Sequence, residues 1–446
     1  MDGVHGSLYN RIGLGGLFYC VSRRDVTGSW LRTYSDTNEK KMFMHIPNRR
    51  KEKIMRIIKK GMVIFASIFA LSILIGTQPA LSKEMSNYEL EQEIKELKKK
   101  IEEPDVFEGL GEKLTLSGTT ELDYSYADDS NIGDNTVNDS TSDLDIGTVE
   151  LGLEAAFHEY VTGNFILKGE GLDTDDDRVF WDEATITIQK EEFPIYFVGG
   201  KRGQPFGMFE SHLINDPITQ DCYEIAKTGV TVGYTIESLG LDISATIYKG
   251  EELMGHLDEF FTYIDRDSTS GGYTLSPNYE ATDDVSSYIG NITISPVEGL
   301  ILAAFYDSEP GDGERNTTAG VMFHYEISNI TLDTEYITAL KREKHFTDNK
   351  EYNESAWFIA VAYQAAEPLE IAARYEAFDD DITGEQDGHL TDRYGLGFTY
   401  TLFENDSFAT NLMGEYRISN FEVEPGNPNG VDDKLNEAFL RLAIEF

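Results

Sequence analysis

The chain closes with Leu440-Arg441-Leu442-Ala443-Ile444-Glu445-Phe446. Successive side chains of a strand point to opposite faces. As a strand, this stretch turns Leu440, Leu442, Ile444 and Phe446 to one side and Phe439, Arg441, Ala443 and Glu445 to the other. An apolar row backed by a mixed polar row, ending on an aromatic carboxy terminus, predicts the last strand of an outer-membrane β-barrel. The first row would meet lipid and the second a lumen. A barrel can cross lipid because every backbone N–H and C=O pairs with a neighbouring strand and closure leaves no open edge. An ordinary soluble strand is the competing reading, and the remainder of the chain decides between them.

Working back from that strand, the period of two persists to Lys113. Val230-Val232-Tyr234-Ile236, Leu241-Ile243-Ala245-Ile247, Leu396-Phe398-Tyr400-Leu402 and Trp357-Ile359-Val361-Tyr363 are clear apolar rows. The pattern predicts strands at 113–126, 144–157, 160–171, 180–190, 193–203, 227–236, 241–250, 284–294, 299–307, 317–327, 330–341, 353–363, 369–379, 390–402, 407–419 and 435–446. Their connections alternate in length. Short turns such as His158-Glu159, Ser328-Asn329 and Ala366-Glu367-Pro368 alternate with long links at 127–143, 203–226, 251–283, 342–352, 380–389 and 420–434. Up-and-down membrane barrels have short periplasmic turns and long outer loops in this way. The fold class is therefore all-β: a 16-stranded antiparallel transmembrane outer-membrane β-barrel over 113–446, preceded by a short N-terminal coiled-coil helix. An even strand number places both ends of the barrel at the periplasmic face.

The amino-terminal third carries different signals. Residues 1–54 have no sustained period and read as an over-extended gene start. Arg56-Ile57-Ile58-Lys59-Lys60, an apolar run from Met62 to Ile75 and the small residues of Ala80-Leu81-Ser82 form a secretory signal peptide at 55–82. The run is shorter than the ~20 residues that span a bilayer. In the segment 83–104, Leu90, Ile94, Leu97 and Ile101 step as a coiled-coil seam ended by Pro104. It would lie in the periplasm and be able to hold a homotrimer together; a solvated single helix is the alternative.

Charge narrows the function. The full chain holds 37 Lys+Arg and 80 Asp+Glu, a net charge of −43. Residues 1–82 hold 13 basic and 5 acidic residues, so the predicted mature chain keeps 24 and 75, a net −51. Nucleic acid is excluded as a partner, because its phosphates would be repelled. With Cys20 removed, Cys222 stands alone, without a disulfide or cysteine-metal framework. Tyr and Phe number 49, enough to build interfacial girdles on a barrel. No Gly-x-Ser-x-Gly, His-Glu-x-x-His or phosphate loop is present, so no enzymatic activity and no cofactor are expected. Asp173, Asp175 and Asp177 form an acidic loop that would bind Ca²⁺ or bridge lipopolysaccharide, with a simple solvated loop as the other reading.

Alternation assigns a lumen row that includes Glu121, Asp123, Lys168, Glu170, Glu183, Lys201, Asp242, Arg374, Glu376, Glu415, Arg417, Glu437 and Arg441. Charges of both signs in one lumen select solutes by size and charge. The stretch Val198-Gly199-Gly200-Lys201-Arg202-Gly203-Gln204-Pro205-Phe206-Gly207-Met208-Phe209-Glu210-Ser211-His212 leads through Asp216-Pro217 into a long loop able to fold inward as a constriction. Glu210, His212 and Asp216 would be its polar contacts.

This Gly-Lys…Pro-Phe-Gly element, followed by Phe-Glu-Ser-His and Asp-Pro, resembles the LbtU-type siderophore porins. The resemblance runs over most of the mature chain and is sharpest at 199–219. It implies an outer-membrane barrel that passes a ferric siderophore. Lys201, Arg202, Arg374, Arg417 and Arg441 would attract an anionic chelate, and Phe206 and Phe209 would offer apolar contact. The Pro-Phe-Gly element also looks like that of phosphate-selective porins, whose many Lys and Arg this lumen row lacks. The segment 83–112 is too short for a plug domain. The other expectations are a general or cation-preferring diffusion porin and, from a different class, a structural tether of the outer membrane. Lipid, lipopolysaccharide and the barrel-assembly machinery, which would read Phe446, complete the expected partners.

Overall fold

The computed structural model describes residues 113–128, 140–172, 178–190, 193–257, 284–311, 314–344, 349–381, 390–405, 407–421 and 433–446. The predicted signal peptide, the coiled coil at 83–104 and the acidic loop with Asp173, Asp175 and Asp177 lie outside the described residues.

Sixteen strands form one closed antiparallel barrel, each paired with its neighbours in sequence and β1 with β16. They are β1 Leu114–Asp128, β2 Ser140–His158, β3 Val161–Glu170, β4 Arg178–Gln189, β5 Ile195–Gly203, β6 Ala226–Ile236, β7 Leu241–Lys249 and β8 Val285–Val297. β9 Leu300–Glu309, β10 Asn316–Ile327, β11 Ile330–Lys341, β12 Ser355–Ala366, β13 Leu369–Asp379, β14 Leu390–Asn405, β15 Phe408–Phe421 and β16 Asp433–Glu445 complete it. All sixteen predicted segments are strands. The chief difference is at β2, which starts at Ser140 rather than at 144. Its first residues are polar and exposed, so hydrophobic alternation could not mark them.

The seam joins the first strand to the last. β1 and β16 pair from Thr119↔Glu445 to Asp128↔Asn436. Phe446 continues the ladder by exchanging 3.0 Å hydrogen bonds with Gly118 in both directions. A Cβ at Gly118 would stand 2.5 Å from the Phe446 ring, so glycine makes room for the terminal aromatic.

The outward rows carry Ile186, Val232, Ile243, Ile247, Ile359, Leu396 and Ile444, all exposed. Burying such a band in lipid is what the hydrophobic effect demands of it. Aromatics edge the band at both ends. Trp357, Tyr375 and Tyr394 form a chain with ring centroids 5.3 and 4.9 Å apart toward the long-loop end. Tyr363, Tyr400 and the stacked pair Phe403–Phe408 lie toward the short-turn end.

Inside, the apolar core is built by chain that enters the lumen. One inward segment is the link from β5 to β6, Gln204–Ile225, which contains helix α1 Ile218–Tyr223. The other follows β7, where 252–257 form a short helix, α2, with Leu253, Met254 and Leu257 buried. Both join a cluster with Phe206, Tyr248, Phe305, Ile337 and Phe378.

Candidate functional site

The segment Gln204–Ile225 leaves the end of β5, crosses the lumen and is fastened to the far wall. Its ends are tied together where the Gln204 amide donates to the Ile225 carbonyl at 2.7 Å. Phe206 is fully buried and meets Phe305 edge-on at 4.9 Å. Beyond it, wall carboxylates accept the loop's backbone amides. Glu335 accepts from the Met208 N–H at 2.8 Å and from the Thr219 hydroxyl at 2.8 Å. Glu376 accepts from the Ile218 N–H at 2.6 Å. One oxygen of Glu415 accepts both the Asn215 N–H and its side-chain amide, at 2.8 and 2.9 Å. A loop inside a barrel has no sheet partner for its backbone, and buried amides must be satisfied. Charged acceptors give the stronger class of hydrogen bond.

Arg374 on β13 satisfies the loop's acceptors. Its guanidinium donates to the Ser211 hydroxyl (2.6 Å), the Asn215 carbonyl (2.9 Å) and the Asp216 carbonyl (2.9 Å). It is also ion-paired to Glu376 at 3.1 Å. Arg393 on β14 binds Asp221 of α1 at 2.7 Å. At the turn of the loop, Leu213 packs on Ala362 and Ala372 and lies over Gly395 and Gly397. A Cβ at Gly397 would stand 2.7 Å from Leu213 Cδ2 and 2.5 Å from the Gly414 carbonyl.

His212 is gripped on both ring nitrogens, Nε2 at 2.8 Å from Asp333 and Nδ1 at 3.2 Å from Glu370. Asp333 holds His324 of β10 with its other oxygen at 2.6 Å. Burial pulls the His212 imidazole down, but the bonds and charges of Asp333 and Glu370 outweigh it and push it up to about 9. His212 is therefore an imidazolium at neutral pH, donating to both carboxylates. Burial and the nearby Asp333 raise the Glu210 carboxyl.

The expected inward folding of the loop is present, while the roles expected of individual residues change. Phe206 and Phe209 are buried anchors and offer no surface to a solute. Arg374 is spent on the loop. The loop uses Asp216 through its carbonyl toward that arginine. Arg417 is paired bidentately with Glu437 at 2.8 and 3.1 Å. Arg441 is paired in the same way with Asp123 at 2.7 and 2.6 Å and also meets Glu121 at 3.1 Å. These charges are largely neutralised within the wall, because partners on adjacent strands are closer than any solute. Lys201 and Arg202 are neighbours on one strand, so both cannot face the lumen. Arg202 reaches the buried Thr231 of β6 at 3.0 Å. Lys201 shares the opposite row with Ala184 and Thr228, and its ammonium binds the Trp181 carbonyl at 2.8 Å. Lys201 therefore belongs to the outer row.

Sequence reasoning missed Asp333, Glu335 and Glu370 as loop partners. Their phase in β11 and β13 marks them as inward-facing. Nothing local says that a loop some 120 to 160 residues away in sequence reaches them.

This architecture is that of outer-membrane porins. The chain is similar in fold to the outer membrane channel DcaP of Acinetobacter baumannii, with a TM-score of 0.53 and 14% identity over 75% of this chain and 97% of that one. It is likewise similar to Salmonella typhi OmpF, solved in complex with daunomycin, with a TM-score of 0.50, 14% identity and the same coverages. At such identity the likeness is one of fold. A UPF0422 protein of Coxiella burnetii (strain RSA 493 / Nine Mile phase I) is 27% identical over 284 residues, 59% of this chain and 57% of that protein. The match thus spans well under two thirds of that relative. No family model matches the chain.

Proposed function

We propose that the protein is a passive outer-membrane channel for small hydrophilic solutes, with its aperture set by the docked segment Gln204–Ile225. The observation that carries this reading is the run of bonds from that segment to Glu335, Arg374, Glu376 and Glu415 on the wall opposite its origin. A constriction must be stiff to sieve, and these bonds make it so. The acidic excess of the chain and the pairing of Arg374, Arg417 and Arg441 with carboxylates favour cations over anions. In this reading the short turns face the periplasm and the long links face outward.

One observation favours a second reading, passage of a ferric siderophore. The residues that resemble siderophore porins, 199–219, are the ones that build the constriction. Planar-bilayer conductance of the refolded protein separates the two. A cation-preferring current indifferent to ferric siderophore supports the first. A current reduced by micromolar ferric siderophore, and not by its iron-free form, supports the second. A membrane that stays insulating refutes both and moves the protein to the structural-tether class.

A further inference from the structure

Arg315 stands apart from the six arginines that are ion-paired. Arg178, Arg342, Arg374, Arg393, Arg417 and Arg441 each meet a carboxylate. Arg315, just before β10, meets only neutral groups among the described residues. Its Nε donates to the Ser308 hydroxyl at 2.7 Å, and Nη2 donates to the Ser308 and Ser286 carbonyls at 2.6 and 3.0 Å. The guanidinium lies over the Tyr288 ring, 4.9 Å from its centroid. Nη1 has no acceptor among the described residues, so a rigidly held cation keeps two N–H donors unused.

Its position is on the outside of the barrel. Tyr288 pairs with Ile247 on one side and Ser308 on the other, and Ile247 belongs to the lipid-facing row. Tyr306, the next residue of the Ser308 row, lies 6.4 Å from Tyr288 between ring centroids. Lys249 ends the outward row Ile243, Ala245, Ile247 and pairs with Val285, beside the Ser286 carbonyl that Arg315 holds. Two cations thus flank the start of β8, above exposed aromatics, at the long-loop end. The neighbouring Glu314 is ion-paired with Lys341.

Tyrosines at a barrel rim mark the headgroup level of the bilayer. The two N–H of Nη1 left at that level can donate charge-assisted hydrogen bonds to the oxygens of a phosphate. A lumen-going anion would not meet it, because the site faces away from the lumen. We propose that Arg315 binds the phosphate of an outer-leaflet lipid headgroup and fixes that lipid against β8–β10. This rests on the outer-membrane placement of the barrel.

The test uses the full chain refolded in detergent, as wild type, Arg315→Gln and Arg315→Lys. The probes are a diphosphorylated glucosamine glycolipid, the same lipid after phosphatase treatment, and inorganic phosphate. Lipid retained through gel filtration is counted by mass spectrometry, and heat-modifiable gel migration confirms that each barrel is folded. The expected result is at least tenfold less phosphorylated lipid on Arg315→Gln than on wild type, an intermediate amount on Arg315→Lys, and little dephosphorylated lipid on any of them. Equal retention by wild type and Arg315→Gln overturns the proposal. So does equal retention of the dephosphorylated lipid, and so does displacement by millimolar inorganic phosphate, which would make this a free-anion site. Conductance of the same wild-type preparation is recorded in parallel, so an insulating barrel would sink the channel reading while leaving the lipid result to stand by its own numbers.

Discussion

Arg374→Ala is the sharpest perturbation of the constriction. The substitution deletes the donor to Ser211, Asn215 and Asp216 and leaves Glu376 without its cation. Arg374 and Glu376 are almost wholly buried, and removing one member of such a pair costs about 3–5 kcal/mol. Nearly all of Arg374's bonds run to the loop or to a carboxylate that itself binds the loop at the Ile218 amide. The cost should therefore fall on docking rather than on the barrel ladder. At 1.36 kcal/mol per factor of ten, release of the loop should rise about 10²- to 10³-fold or more. Cys222 on α1 reports it. Its thiol is fully buried, and burial pushes its pKa well up, so it is shielded both sterically and chemically. In a Cys20→Ser background, maleimide labelling of Cys222 should accelerate by that factor in Arg374→Ala. It should not change in Lys190→Gln, on an exposed site beside a short turn. A folded Arg374→Ala barrel whose Cys222 labels at the parental rate would refute the idea that this arginine holds the loop.

Three further outcomes follow from the same geometry. His212 is raised from 6.5 to about 9, so its bonds to Asp333 and Glu370 contribute fully below pH 6.5 and are lost as pH rises through 9. That difference corresponds to roughly 3 kcal/mol. Single-channel current noise should therefore grow between pH 7 and 10 in the wild type and be pH-independent in His212→Gln; matching profiles would discard the latch. Gly397→Val should lower thermal stability by about 1–3 kcal/mol, because its Cβ meets both the Gly414 carbonyl and Leu213. Gly290→Ala, with open space around its Cβ, should be close to neutral, and calorimetric melting compares the two. Arg441→Met leaves Asp123 and Glu121 without their shared cation across the β1–β16 seam, at a cost of about 3 kcal/mol. The barrel should then unfold in SDS at a lower temperature, and an unshifted transition would mean that the seam does not depend on this pair.

The sequence by itself determined the barrel, its strand number and most strand limits. A strand has a period of two, lipid demands an apolar row on each strand, and short turns alternate with long links, so these features are written locally. It also singled out 203–226 as the segment to fold inward, since Gly and Pro mark its entry and its length exceeds that of a turn. Only the tertiary structure decided what the lumen charges do. Arg374 read as a cation available to a solute until the loop's carbonyls came within 2.9 Å of it. Arg441 and Asp123 are 318 positions apart, and closure of the barrel makes them register partners. The phase at β5 was likewise beyond the sequence: alternation put Lys201 in the lumen row, whereas the wall turns the adjacent Arg202 inward. Pairing between distant charges depends on which strands become neighbours and on where a loop lands. Those are consequences of closure and packing, not of any local pattern.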